Sequence, residues 1–194
     1  GTRKIVGLVL EKNETGYRVI DVEILEHTTR AMMDGQIHDV EAVTATIIKI
    51  KNALQERQGI TLDSVAVAAA GRALKTSRGS CHKSRQQLSE LSTDEVRALE
   101  IEAVQEAQYQ LAQEELGNKG HGNYFCVGYS VLSYLLEGQV IGSLVGQVGN
   151  EVAVEIIATF LPRVVVDSLF SSLNRAGLEV KSLTLEPIAA LSVA

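Results

Sequence analysis

The chain has 194 residues, 45% of them apolar, with a formal net charge of -6 and no basic run. That content can bury one large core or two small ones, and the charge argues against a surface that neutralises nucleic-acid phosphates. Trp is absent and aromatics are 4% of the chain, so platforms for stacking bases are not expected. Cys81 and Cys126 lie far apart without a Cys-x-x-Cys pair, which fits free thiols in a reducing cytosol. No signal peptide opens the sequence and no apolar run reaches the length of a membrane span. The abrupt start at Gly1 and stop at Ala194 read as an excised piece of a longer protein.

Lys4 to Leu10 is an apolar run and predicts a buried strand. Asn13 to Gly16 carries a turn signal. Tyr17 to Leu25 alternates, with Ile20, Val22 and Ile24 on one face and Asp21 and Glu23 on the other, as in a hairpin partner with one apolar face. Ala31 to Asp39 suits a bulged third strand, so an antiparallel meander is predicted. Asp39 suits the N-cap of a helix from Val40 to about Gln58, striped by Val43, Ile47, Ile50 and Leu54, with Gly59 as its C′ residue. Ser64 to Ala70 reads as a short strand that rejoins the same sheet in parallel.

Gly71 to Gln87 is rich in Ser, Gly, Lys and Arg and predicts an exposed, mobile connection. Ser92 to Glu95 is a capping box, opening a helix to about Leu116 with Val96, Leu99, Ala103, Ala107 and Leu111 on one side. Tyr124 to Leu136 and Glu151 to Leu161 are strand-like, with a turn at Glu137-Gly138. The three glycines between Gly142 and Asn150 do not form Gly-x-Gly-x-x-Gly, so a strand-linking loop is expected there. Pro162 suits the first turn of a helix carrying Val165, Leu169 and Leu173 and ending at Gly177. Leu178 to Leu185 is then a strand, and Glu186-Pro187 starts a last helix. Cys81, His82 and His121 lack zinc spacing, so no metal site is expected. Ser80-Cys81-His82 sets a thiol beside an imidazole without a third orienting group.

The opening Gly1-Thr-Arg-Lys-Ile-Val-Gly-Leu-Val-Leu10 resembles the first phosphate motif of the actin-like ATPases, in which an Asp precedes Gly-Thr. Met33-x-Gly35-x-Ile37-x-Asp39 is similar to the stretch before the first helix of FtsA. Val65 to Gly71 looks like that family's following strand, after which FtsA carries an inserted subdomain. Leu183-Thr-Leu-Glu-Pro-Ile-Ala-Ala190 resembles the return segment, with a similar Glu-Pro stretch in related chaperone ATPases. The order of the pieces covers nearly the whole chain. It implies an α/β fold: the first lobe of an actin-like ATPase (ribonuclease H-like), residues 1–71 and 179–194, interrupted by a small α+β interaction subdomain at 72–178. The segment resumed near Leu183 is expected to share one sheet with the opening meander.

The resemblance implies that Gly1 and Thr2, with Lys4 nearby, face ATP phosphates, because a glycine turn lets backbone N–H groups approach closely. By position Glu186 would serve near the hydrolytic water or hydrated magnesium; its alternative role is an N-cap before Pro187. ATP and Mg2+ are thus expected in the intact protein. The second phosphate motif and the adenosine motif would follow Ala194, so the fragment alone is expected to bind ATP weakly or not at all and to be inactive. The implied setting is cytoplasmic, including the cytoplasmic face of the cell membrane, reached only through further segments. FtsZ-like or other division proteins, and self-association into filaments, are the implied partners, with no nucleic acid. A PilM-like pilus assembly protein, a chaperone-like reactivase and a small-molecule kinase of the same superfamily remain open alternatives.

Overall fold

The computed structural model describes residues 3–14, 16–27, 31–33, 36–69, 74–86, 89–117 and 123–185. The chain divides into two compact units, Gly1–Ala73 with Val164–Ala194, and Leu74–Arg163. In the first unit, β1 (Lys4–Asn13) and β2 (Gly16–Glu26) pair antiparallel, with a register shift between Val9 and Leu10. Helix α1 (Val40–Gln58) lies against one face of this ladder, where Gly7 leaves room for Ile50 and Leu54. The same face carries Asp21 and Glu23, which reach the guanidinium of Arg57. The apolar face, with Val6, Leu8, Leu10, Val22 and Ile24, stays between 42% and 52% exposed. The face of the ladder that packs is therefore the one with Gly7 and the partly buried Ile5, and Asp21 and Glu23 on that face meet Arg57.

The predicted ends of α1 hold. The Asp39 carboxylate accepts the Ala42 N–H at 2.9 Å, satisfying a donor that the first turn leaves open. Gly59 closes the helix at φ 64°, a left-handed conformation that a Cβ would strain, and its N–H donates to the Gln55 carbonyl at 2.8 Å. Val43, Ile47, Ile50 and Leu54 are all buried, as their spacing requires.

Two expectations for this unit need correction. The third strand is instead a short hairpin of β3 (Met32–Met33) and β4 (Gln36–Ile37), because Ala31 closes the segment on itself: its carbonyl accepts the N–H groups of both His38 and Asp39. The shared sheet is not formed either. β5 (Ser64–Ala69) pairs in parallel with β10 (Glu179–Leu185), and among the described residues this ladder is not hydrogen-bonded to β1 and β2. What joins them is a core in which Ile5, Val65, Val67 and Val180 pack against a buried cluster of Val43, Ile47 and Leu173.

Helix α3 (Arg163–Arg175) also packs in this unit, whose second segment begins at Val164. Leu173, Ala176 and Leu178 join Val43 and Ile47 in one cluster, and the Thr44 hydroxyl donates to the Ser172 carbonyl at 3.4 Å. Lys51 on α1 donates to the carbonyls of Ala176 and Gly177 at 3.2 and 3.0 Å. A cation there meets the open acceptors just past the end of α3.

The second unit is a four-stranded antiparallel sheet in the order β6-β9-β7-β8, from β6 (Lys75–Ser84), β7 (Tyr124–Leu136), β8 (Gln139–Ile141) and β9 (Glu151–Pro162). Helix α2 (Thr93–Gly117) covers one face through Val96, Leu99, Ala103, Ala107 and Leu111, the predicted stripe. Opposite them lie Val152, Val154, Ile156, Ala158 and Phe160 of β9. Burying each leucine or valine of this layer contributes about 1.5–3 kcal/mol. The capping box holds: Glu95 N–H donates to Ser92 Oγ at 3.2 Å, and Ser92 N–H to Glu95 Oε2 at 2.8 Å. The expected mobile connection over 71–87 is corrected, because ten of its residues form β6, paired with β9 along its whole length. Their polarity masked the strand, since the residues that face α2 are small rather than apolar. Gly79 is buried, and a Cβ there would run into the Ala103 carbonyl and come within 2.8 Å of the Ala107 nitrogen.

Candidate functional site

Gly1, Thr2 and Glu186 lie outside the described residues, so of the expected site only Lys4 has a described place. Lys4 opens β1 opposite Glu26 and is exposed. One step before it, the Arg3 carbonyl accepts the His27 N–H at 2.8 Å, which closes the end of the β1–β2 ladder. Both ring nitrogens of His27 are buried without a hydrogen-bond partner, and burial holds its pKa below the usual value. An imidazole in that environment is held neutral.

β5 and β10 end together, Ala69 beside Leu185. The chain leaves both parallel strands from the same end of the ladder. In open α/β sheets ligands gather at the carboxyl ends of parallel strands. Gly71 and Glu186 each follow this end within two residues in sequence. The described geometry thus brings the ends of β5 and β10 together, and it leaves Lys4 as an exposed cation on a separate ladder.

Several polar groups escaped the sequence reading. Arg57 holds Asp21 at 2.9 and 3.0 Å and Glu23 at 2.6 Å, and Gln58 donates to Asp21 at 2.9 Å. The Arg57 hydrogen bond, with that of Gln58, lowers the Asp21 pKa to about 2. The signal available in the sequence was the acidic pair on one face of β2 and a basic residue in the last turn of α1. In the second unit, the hydroxyls of Tyr129 and Tyr134 on β7 donate to the two oxygens of Glu100 on α2, at 2.6 and 2.5 Å. The Tyr129 pKa is pushed up to about 12, first by that bond, and Tyr134 to about 12, first by burial. The Cys81 thiol donates to Glu102 at 3.2 Å, and burial together with this carboxylate raises its pKa to about 11. A thiol so raised is a poor nucleophile, and His82 is not what it touches. Among the described residues no cluster of three or more His, Cys, Asp or Glu is placed to hold a metal ion. Among them, too, no helix is long and apolar enough to cross a membrane.

The path of the chain defines a fold class. An α/β lobe is interrupted by a separate helix-on-sheet unit and resumed by a strand parallel to the one it left. This path is like that of a solved chain whose fold it shares. The particular likeness is to a chain of the PilM-PilN type IV pilus biogenesis complex, with a TM-score of 0.59 and 13% sequence identity over 98% of this chain. At that identity the likeness shows the fold, and it does not single out FtsA. The chain spans 47% of that solved chain. No family model and no curated protein matches the sequence.

Proposed function

We propose that the chain supplies the first wall of an ATP cleft, together with a protein-interaction unit, in an assembly protein of the actin-like ATPase superfamily. The observation that carries this is the likeness to the PilM-PilN complex chain, which extends over 98% of this chain and so includes both units. In this reading a second lobe, like the half of that solved chain without a counterpart here, provides the other wall. Gly1 and Thr2 with Lys4 face the phosphates, Glu186 serves near the hydrated Mg2+, and ATP is held tightly only when both lobes are present.

Unit Leu74–Arg163 is then the interaction subdomain. The favoured partner is a PilN-like protein of a pilus assembly, at the cytoplasmic face of the cell membrane. A division protein of the FtsA type, with an FtsZ-like partner and self-association, is the second reading, favoured by the Gly35-x-Ile37-x-Asp39 stretch. Deleting residues 74–163 from the intact protein tests the proposal. Partner capture and self-association are expected to be lost while ATP binding remains. If both survive the deletion, the interaction role is wrong.

A further inference from the structure

We propose that the outer edge of β6 is a docking edge for an extended, acidic segment of a partner protein, which adds to the sheet as a further strand. The inference rests on reading the second unit as an interaction subdomain, and it names the place and the chemistry.

The strand order leaves β6 at one end of the sheet, and among the described residues no strand lies on its other side. An unpaired edge presents a row of backbone donors and acceptors ready to accept another chain. Both open edges of this sheet can be compared. Beyond the short β8, the free edge of β7 belongs to a strand whose pairing with β9 is interrupted twice, between Cys126 and Gly128 and between Val131 and Ser133. Such irregularities twist an edge away from strand addition. β6 has none: Lys75 to Ser84 pair with Phe160 to Glu151 without a register shift, and the strand contains no proline. Its backbone is therefore a straight template ten residues long.

Charge selects the occupant. β6 carries Lys75, Arg78, His82 and Lys83 and no acidic residue. Lys83 is neutralised by Glu102 at 3.0 Å on the α2 side. Arg78 is exposed and has no ion-pair partner among the described residues. Glu155, on β9 opposite Ser80, is engaged by the Ser133 hydroxyl at 2.9 Å. A segment with acidic residues at alternate positions sets them all on one face, beside Arg78 and the hydroxyls of Thr76 and Ser80, which share that face of β6. Main-chain bonds then supply affinity and the charge pattern supplies selection.

The test uses the full 194-residue chain and a labelled ten-residue peptide of alternating Thr and Glu, with a twin in which Lys replaces Glu. Fluorescence anisotropy is expected to show binding of the acidic peptide and at least about ten-fold weaker binding of its twin, a gap of about 1.4 kcal/mol. Arg78→Glu, at an exposed position, is expected to reverse the preference. Amide exchange is expected to slow in β6 only with the acidic peptide. Absence of binding, equal binding of the two peptides, or indifference to Arg78→Glu would overturn the inference. So would a sedimentation-detected dimer whose formation slows exchange in β6 without peptide, since the occupant would then be a second copy. Partner capture that needs residues 74–163 yet survives Arg78→Glu would also sink this edge while leaving the interaction-subdomain reading in place.

Discussion

At Gly79 the side-chain hydrogen is what lets α2 rest on β6. A methyl group there would overlap the backbone of Ala103 and Ala107, which cannot yield as the end of a long side chain can. Gly79→Ala is expected to destabilise the second unit by about 1–3 kcal/mol in a urea melt, whereas Ser80→Ala on the opposite face is expected to be near neutral. His27 makes a pH prediction for the first unit. Its folded pKa is lowered by burial from 6.5, so the unfolded chain takes up the proton first as pH falls. The stability it permits is full above about 6.5 and declines below that value. The protection of β1 and β2 amides, taken relative to their intrinsic exchange rate at each pH, is expected to fall as pH drops below about 6.5 in the native protein, and less so in His27→Phe. Asp21 works over a lower range. Its pKa is depressed to about 2 from 3.8, so the contribution of the Arg57 clasp is present above 3.8 and lost as pH falls toward 2. Arg57→Met is expected to flatten that acid limb. None of these three residues announces its role in sequence, because each role depends on what a distant element places beside it.

At the scale of elements, what was legible followed from local rules. The stripes of α1 and α2, the Asp39 and Gly59 caps, the Ser92–Glu95 box and the Glu137-Gly138 turn each depend on residues a few positions apart, and each is present. Ser92→Ala is expected to cost about 1 kcal/mol, read as an earlier thermal transition of the second unit. What was hidden depended on tertiary partners. β6 has no apolar alternation because its inward positions are filled by small residues under a close helix, so polarity alone pointed to a loop. The apolar face of β2 stays exposed, while the face with Asp21 and Glu23 is the one turned to α1 and Arg57. The segment around Met32 resembled a third strand, yet Ala31 bonds locally and turns it into a hairpin. Of the expected site, only Lys4 was open to comparison, and it sits alone at a ladder end.

For the molecule as a whole, the compact units are 1–73 with 164–194, and 74–163, whereas the resemblance implied an inserted subdomain over 72–178. The stripe of α3 is ordinary for any amphipathic helix, and only the cluster with Val43 and Ile47 assigns it to the first unit. A fragment of residues 74–163 is therefore expected to melt cooperatively. One of 72–178 would expose Val165, Val166 and Leu173 and is expected to self-associate in sedimentation. The shared sheet expected from the sequence gives way to separate ladders over a common core, while the chain path keeps its likeness to the pilus complex chain. The cleft assignment is the claim on which the functional account turns. It is tested most directly by calorimetric titration of Mg-ATP into the 194-residue chain and into a version joined to a second lobe. The account predicts no micromolar binding by the chain alone and micromolar binding once the second wall is present. Micromolar binding by residues 1–194, or none by the two-lobed protein, would contradict it.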